Sequence, residues 1–371
     1  MNDLVIFIHS MGSGGAERVT ANMANYWAAK GWEITIVTLA PRSLDFYELH
    51  PSVKRVALNS DGDSGNVLAG LLQNLHRVLA LRRVLREIRP RIALAMMTTA
   101  NVLLAMAAFG LNVRVIGSEH THPPQYPLSA LWERLRRLAY RWLDAVTALT
   151  SESAHWLKVH TSARRVPVIP NAAPWPLPVQ EPRLSPDAVC RPGRKLMLAA
   201  GRLVEYKGFD WLIEAFANLA HKHPSWDLVI LGDGPQSHAL QAQLRAAELE
   251  ERIFLPGRAG NVGEWYERAD LYVMSSRFEG FGNTLAEALT YGVPAVSFDC
   301  DTGPREIIRH EVDGLLVPPE DVAGLTAVLD RVMGDDEMRQ SLAARAVEAR
   351  DRFSMERIAG MWEELFKASA R

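Results

Sequence analysis

Short β-rich apolar runs alternate with segments of helical periodicity along nearly the whole 371-residue chain, and proline breaks the alternation once. The first half reads LVIFIH, a helix over about 16–30 closed by Gly31, WEITIVT, and a long helix near 67–89. It continues with a strand at 92–97, a helix at 99–109, a strand at 113–117 and AVTALT from Ala145. Strands that alternate with helices pair in parallel through right-handed crossovers. Residues 171–193 then hold six prolines in 23 positions. Proline cannot donate to a ladder, so this stretch reads as a linker. After it the alternation restarts with KLMLAAG, DLVILGDG, IFLPG, LYVMSS, VPAVSFD and GLLVPP.

The expected fold is therefore α/β, with two doubly wound, Rossmann-like domains over 1–172 and 194–353 and a linker at 173–193. The last helix, within 354–371, follows no strand and is expected to pack back on the first domain. Two such domains facing each other would line a cleft with the C-terminal ends of their strands, where ligands of open α/β sheets bind.

A hydrophobic fraction of 48% with 23% charge fits a folded globular chain. Two cysteines, Cys190 and Cys300, are too few for a disulfide framework or a cysteine zinc site and suit a reducing, cytoplasmic setting. The first nine residues read as a strand, so no secretory signal is expected. The uncharged run 92–113 is long enough to span a bilayer, but Thr98, Thr99, Asn101 and Asn112 interrupt it. It reads instead as a buried β-α-β piece. The first 180 residues hold 19 Lys and Arg against 12 Asp and Glu, whereas the remainder hold 22 against 31. That asymmetry suggests an anionic partner for the first half, phosphate or a membrane surface, and no nucleic acid is expected.

The densest chemistry lies in FEGFGNTLAEALTYGVP at 278–294. Gly280 and Gly282 permit close backbone approach. The amides from Phe281 and Gly282 through Asn283, Thr284 and Leu285 would open a helix toward an anion. Glu287 lies one turn inside, placed to reach a vicinal diol such as a ribose, and Glu279 precedes the helix, placed to hold a second polyol. The plainer alternatives are an exposed Glu287 and a capping Glu279. In GRLVEYKG at 201–208, Arg202 and Lys207 could grip a diphosphate, one by its fork and the other as a point charge.

MGSGGAER places Gly12, Gly14 and Gly15 in a loop whose amides can meet a phosphate or a sugar. Glu17 stands where a dinucleotide fingerprint needs its third glycine, which disfavours a nicotinamide site. In SEHTHPP, His120 ends a strand and could bond a sugar hydroxyl, carry a proton or simply be structural. His122 offers a second imidazole, but no third ligand has a metal spacing. The pairs Asp61 with Asp63 and Asp299 with Asp301 read as turn chemistry and as a structural or supporting feature, respectively.

Two basic helices account for the positive half. Arg77, Arg82, Arg83 and Arg86 cluster on the first, with Arg89 and Arg91 at its end. On the second, Leu131, Trp132, Leu135, Leu138, Ala139 and Trp142 form one face beside Arg134, Arg137 and Arg141. These are either ordinary amphipathic helices or a surface for anionic lipid or a lipid-linked diphosphate.

With GGAER, SEHT, the IPN of Ile169 to Asn171, GRLVEYKG, LGDGP, LPG, the Glu279 to Glu287 motif, TGPREI and DGLLVP in order, the chain resembles a family-4 retaining glycosyltransferase of the GT-B fold. The resemblance covers almost the whole chain. It implies that Arg202 and Lys207 bind the donor diphosphate, Glu287 the ribose, Glu279 the donor sugar and residues 281–285 the phosphate. The stretch Pro256–Arg258, with Gly257 and Arg258, would lie at the uracil base and His120 at the transferred sugar. It also implies retention of configuration with no metal or other cofactor, the leaving phosphate taking the acceptor's proton. GGAER, SEHT and DTGPREII look most like bacterial enzymes that extend lipid-linked glycans, N-acetylgalactosaminyltransferases among them. The implied partners are then a UDP-sugar, a polyprenyl-diphosphate glycan and the inner face of the cell membrane, bound peripherally. A sugar-nucleotide epimerase and a non-catalytic UDP-sugar binder are the alternatives.

Overall fold

The structure, a computed structural model, describes residues 3–62 and 67–368. Asp63 of the first acidic pair lies outside the described residues. The chain forms two compact units, Met1–Asn171 with Ile358–Arg371, and Ala172–Arg357.

In the first unit the strands are β1 (Leu4–Ile8), β2 (Ile34–Thr38), β3 (Lys54–Ala57), β4 (Ile92–Met96), β5 (Arg114–Glu119) and β6 (Ala145–Ala148). They pair in parallel in the order β3-β2-β1-β4-β5-β6. The second unit contains β7 (Lys195–Ala200), β8 (Trp226–Leu231), β9 (Ile253–Gly257), β10 (Leu271–Met274), β11 (Ala295–Phe298) and β12 (Gly314–Val317). Its parallel order, β12-β11-β10-β7-β8-β9, is the same arrangement counted from the first strand of the unit. In each sheet the order reverses direction beside the first strand, at β1/β4 and at β7/β10. That reversal opens a crevice beyond the strand ends, where such sheets bind ligands.

The inner strands are buried on both faces, which is why they read as unbroken apolar runs. The edge strand β3 was not expected. Its sequence KRVA exposes Lys54 and leaves the rest half-buried, so it carries neither an apolar run nor a clean alternation. The uncharged run at 92–113 folds as β4, the helix Thr98–Ala108 and the approach to β5.

Segment 173–193 lies along the second unit. Proline removes donors but leaves carbonyls, and these are used: Pro182 O accepts from Gly260 N at 2.7 Å and Leu184 O from Trp265 Nε1 at 2.9 Å. The final helix, Met355–Lys367, brings Phe366 to 5.4 Å from fully buried Trp27, which also stacks on Trp32 at 5.7 Å. Trp27 Nε1 donates to Glu363 Oε1 at 3.2 Å.

Candidate active site

At the second unit's strand-order reversal, two loops leave β7 and β10 side by side. The β7 loop makes a short turn over Glu205–Lys207 and ends on Gly208, whose φ of 61° is left-handed. A Cβ there would overlap the Ser275 carbonyl oxygen at the start of the β10 loop, so only glycine lets the loops meet. Ser275 Oγ donates to Lys207 O at 3.1 Å, and Arg277 N donates to Tyr206 O at 2.8 Å.

Each loop then presents an aromatic followed by a charge. Tyr206 and Phe278 stack at 4.8 Å, while Lys207 Nζ lies 2.5 Å from Glu279 Oε1. The same oxygen accepts from Ser276 Oγ at 2.6 Å, and Thr302 Oγ1 donates to the Glu279 carbonyl. Burial pulls the Lys207 pKa down, but the adjacent Glu279 carboxylate outweighs it and holds the ammonium above its ordinary value. Arg202, the other expected diphosphate ligand, is exposed and makes no ion pair among the described residues. One cation is thus pre-placed by a carboxylate and the other projects into solvent.

The helix Asn283–Thr290 starts on Gly282, whose φ of 104° turns the chain from loop into helix. Leu285 N already donates to Gly282 O at 3.0 Å, so of the expected phosphate amides this one is spent inside the first turn. Thr284 anchors the same turn, its Oγ1 2.7 Å from Tyr272 OH. The Phe281 side chain is buried against Phe353 at 5.8 Å, which leaves only its backbone to face a ligand. Glu287 is 2% exposed, not the solvent-facing helix residue of the plainer alternative, and its Oε2 lies 3.2 Å from Tyr266 OH. Gly257 O accepts from Gly232 N at 2.8 Å, and exposed Arg258 lies 3.9 Å from Asp233. Asp299 is tied to Arg305 Nε at 2.9 Å, a structural pairing.

In the first unit, Gly14 precedes the helix Gly15–Ala29, and the Glu17 side chain folds over it, filling the space a Cβ would take. A carboxylate at that spot repels a phosphate, so a neutral polyol suits the Gly14 and Gly15 loop better. His120 follows β5, with Nε2 3.1 Å from Ser118 Oγ, which is 2.8 Å from Thr147 Oγ1. Burial lowers the His120 pKa to about 4, so the ring is neutral near pH 7. His122 Nδ1 lies 2.9 Å from Ser153 Oγ. Among the described residues no cluster of His, Cys, Asp or Glu is arranged to hold a metal.

Several residues here were not singled out in the sequence. Buried Glu119 accepts from Tyr140 OH and from Thr98 Oγ1 at 2.7 Å, while Arg136, 1% exposed, stacks over Trp156 at 4.5 Å. Ser276, Tyr266 and Tyr272 support the motif residues from a loop, a helix and a strand, with no spacing that announces it.

The arginines expected at an acceptor or membrane surface divide into two groups. Arg77 donates to Ser60 O at 2.7 Å, and Arg82 to Ala107 O and Phe109 O at 2.8 and 2.7 Å, so both brace backbone carbonyls. Arg83 pairs with Glu87 at 2.9 Å in solvent, and Arg86, Arg134, Arg137 and Arg141 are exposed. On the helix Ala130–Ala139, Trp132 and Leu135 pack inward with Ala139, whereas Leu131, Leu138 and the following Trp142 face outward. The apolar stripe is wider than the surface it packs on. No helix of the described residues is long and apolar enough to cross a membrane.

Two sequence profiles match the chain: one described as Glycosyltransferase Family 4 over residues 13–174, and one described as Glycosyl transferases group 1 over residues 182–349. An exopolysaccharide phosphotransferase of Streptomyces coelicolor is 36% identical over 289 residues, 77% of this chain but only 29% of that protein. The GalNAc-alpha-(1->4)-GalNAc-alpha-(1->3)-diNAcBac-PP-undecaprenol alpha-1,4-N-acetyl-D-galactosaminyltransferase of Campylobacter jejuni is 26% identical over 366 residues, 98% of each chain. The crystal structure of Anabaena HepE in complex with UDP and glucose superposes with a TM-score of 0.80 at 20% identity, covering 100% of both chains. With both profiles, the parallel sheet orders and this superposition in agreement, the chain belongs to the glycosyltransferases of the GT-B fold.

Proposed function

We propose that this glycosyltransferase moves a sugar, N-acetylgalactosamine or another N-acetylhexosamine, from a UDP-sugar to a polyprenyl-diphosphate-linked glycan, with retention and without a metal. The observation that carries the reading is the paired loop at β7 and β10, where Lys207, Glu279 and Ser276 form a buried charged cluster in front of a glycine-started helix. A departing diphosphate gathers negative charge, and Lys207, already held in place, and the exposed Arg202 side chain would supply cations for it, which is the role a metal would otherwise fill. Glu279 suits a hydrogen bond to a sugar hydroxyl better than attack at the anomeric carbon, because an ammonium and a hydroxyl already hold one of its oxygens. Retention would then follow from front-face attack, with the leaving phosphate taking the acceptor's proton. The relative from Campylobacter, whose name gives an undecaprenol-linked acceptor, supports the choice of acceptor class.

The acceptor implies a bilayer, and the first unit presents a suitable face. The helices Val67–Ile88, Thr98–Ala108 and Ala130–Ala139 pack in sequence. These helices and the residues just after them expose Leu72, Leu75, Leu79, Phe109, Leu138 and Trp142 together with Arg83, Arg86, Arg134, Arg137 and Arg141. Phe109 meets Trp142 at 5.2 Å. Such a surface favours peripheral seating on anionic lipid.

The test is UDP release from a panel of UDP-sugars, with and without a detergent-solubilised polyprenyl-diphosphate glycan and with and without EDTA. Release from one donor, rising sharply with acceptor and unaffected by EDTA, is expected, and proton NMR of the product reads the anomeric configuration. Release that ignores the acceptor overturns transfer to it, and EDTA sensitivity overturns the metal-free mechanism.

A further inference from the structure

The turn of helix that carries Glu287 is held from behind by two phenols that lie far from it in sequence. Tyr266, in the helix Val262–Arg268, is 1% exposed and places its hydroxyl 3.2 Å from Glu287 Oε2 and 3.1 Å from the Thr284 carbonyl. Tyr272, in β10, is fully buried and places its hydroxyl 2.7 Å from Thr284 Oγ1. The rings meet edge to face at 5.9 Å, and Tyr266 also packs at 5.5 Å on Tyr291, whose hydroxyl accepts from Leu177 N at 2.8 Å. Neither phenol can move without unpacking the second unit's core.

A carboxylate buried as deeply as Glu287 needs donors, and the strongest hydrogen bonds are those to a charged group. A phenol fixed against one oxygen sets the orientation of the carboxylate, which decides how its lone pairs meet two adjacent hydroxyls. Burial holds the Tyr272 pKa above its ordinary value, so this phenol keeps its proton.

We infer that Tyr266 is the positioning residue that aims Glu287 at the donor ribose, with Tyr272 fixing the neighbouring Thr284 for the diphosphate. The inference rests on the proposed reading of Glu287 as the ribose ligand and extends it to two side chains that would not touch the donor. Tyr266 would therefore govern discrimination at the ribose hydroxyls, whereas Tyr272 would act on the nucleotide as a whole.

Calorimetric titration of the full chain with UDP and with 2′,3′-dideoxy-UDP tests this, alongside the thermal midpoint of each variant. The unaltered chain should prefer UDP by tenfold or more. In Tyr266→Phe, UDP binding should weaken by about tenfold, as expected for one hydrogen bond to a charged group. Binding of the dideoxy nucleotide should hold, so that the ratio falls toward one. Tyr272→Phe should weaken both nucleotides alike and keep the ratio. An intact ratio in Tyr266→Phe overturns the inference alone. Equal binding of the two nucleotides by the unaltered chain overturns the ribose reading and the inference with it. Should Tyr266→Phe fail to fold, adding Glu287→Gln removes the buried charge that has lost this hydrogen bond; restored folding supports the pairing, and no restoration overturns it.

Discussion

Lys207 and Arg202 are both cations on one loop, yet their surroundings predict different consequences of losing them. Lys207 is shielded and neutralises Glu279, so Lys207→Ala strands a buried carboxylate. Breaking a buried pair from one side costs roughly 3 kcal/mol or more, which should appear as a lower thermal midpoint as well as lost activity. Arg202→Ala touches no ion pair among the described residues and should leave the midpoint unchanged. Each variant should lose on the order of 10²–10³ in kcat, the usual cost of one donor to a developing charge. Equal midpoints would show that the Lys207–Glu279 pair contributes nothing to stability. His120 gives a pH prediction. Its folded pKa is depressed to about 4 by burial, against an unfolded value near 6.5. The unfolded chain therefore binds a proton first, and stability is lost as pH falls from about 6.5 toward 4. Between pH 6 and 8 the folded imidazole stays neutral, so kcat/KM should show no inflection from His120 there, and its ring NMR shifts should move only below about pH 5. A ring titration near pH 6.5 would contradict the desolvation of this half-buried imidazole.

Elements were legible in the sequence where one stretch of chain carries its own pattern. The glycine loop and helix start at 278–294 are contiguous, so spacing alone put Glu279 and Glu287 eight residues apart at a strand end. β3 was missed because an edge strand with an exposed lysine has no buried run to betray it. Tyr266 and Tyr272 were missed because they reach the helix Asn283–Thr290 from other elements, and proximity created by packing leaves no spacing in the chain. Arg136 was missed for a related reason: among six neighbouring charges nothing in the sequence marks the one that turns inward onto Trp156. Gly208 shows the limit of motif reading at the level of a loop. Its type is apparent in GRLVEYKG, but the cause, the Ser275 carbonyl crossing behind it, comes from β10. Gly208→Ala should therefore cost several kcal/mol, since strain at positive φ and a backbone overlap act together (roughly 1–3 kcal/mol from the strain alone). Chemical denaturation reads this directly, and an unchanged midpoint would mean that the two loops do not touch.

At the scale of the molecule, the two units share one strand order and divide the charge, with the cationic excess in the first. The sequence showed that excess and the amphipathic helices, but not that three apolar side chains of the second basic helix and its end would remain outside. Exposed Leu131, Leu138 and Trp142 lie on the same side as Arg134 and Arg141, and Trp142 has Phe109, 60% exposed, beside it. On the proposed peripheral seating, these side chains are the apolar part of the contact. The arginines are the other part of the proposed contact: an anionic bilayer would meet both their charge and the apolar side chains. Each basic side chain near such a surface contributes about 1 kcal/mol, so Arg134→Ser, Arg137→Ser and Arg141→Ser together should weaken binding to phosphatidylglycerol-containing vesicles roughly a hundredfold. That loss should shrink as salt rises, because about 0.1 M already screens exposed charges beyond about 10 Å. Phe109→Ser with Trp142→Ser should lower binding at every salt concentration, because buried apolar area does not depend on ionic strength. Vesicle flotation at low and high salt separates the two contributions. Binding that survives both sets of substitutions would overturn the proposed membrane contact at this face.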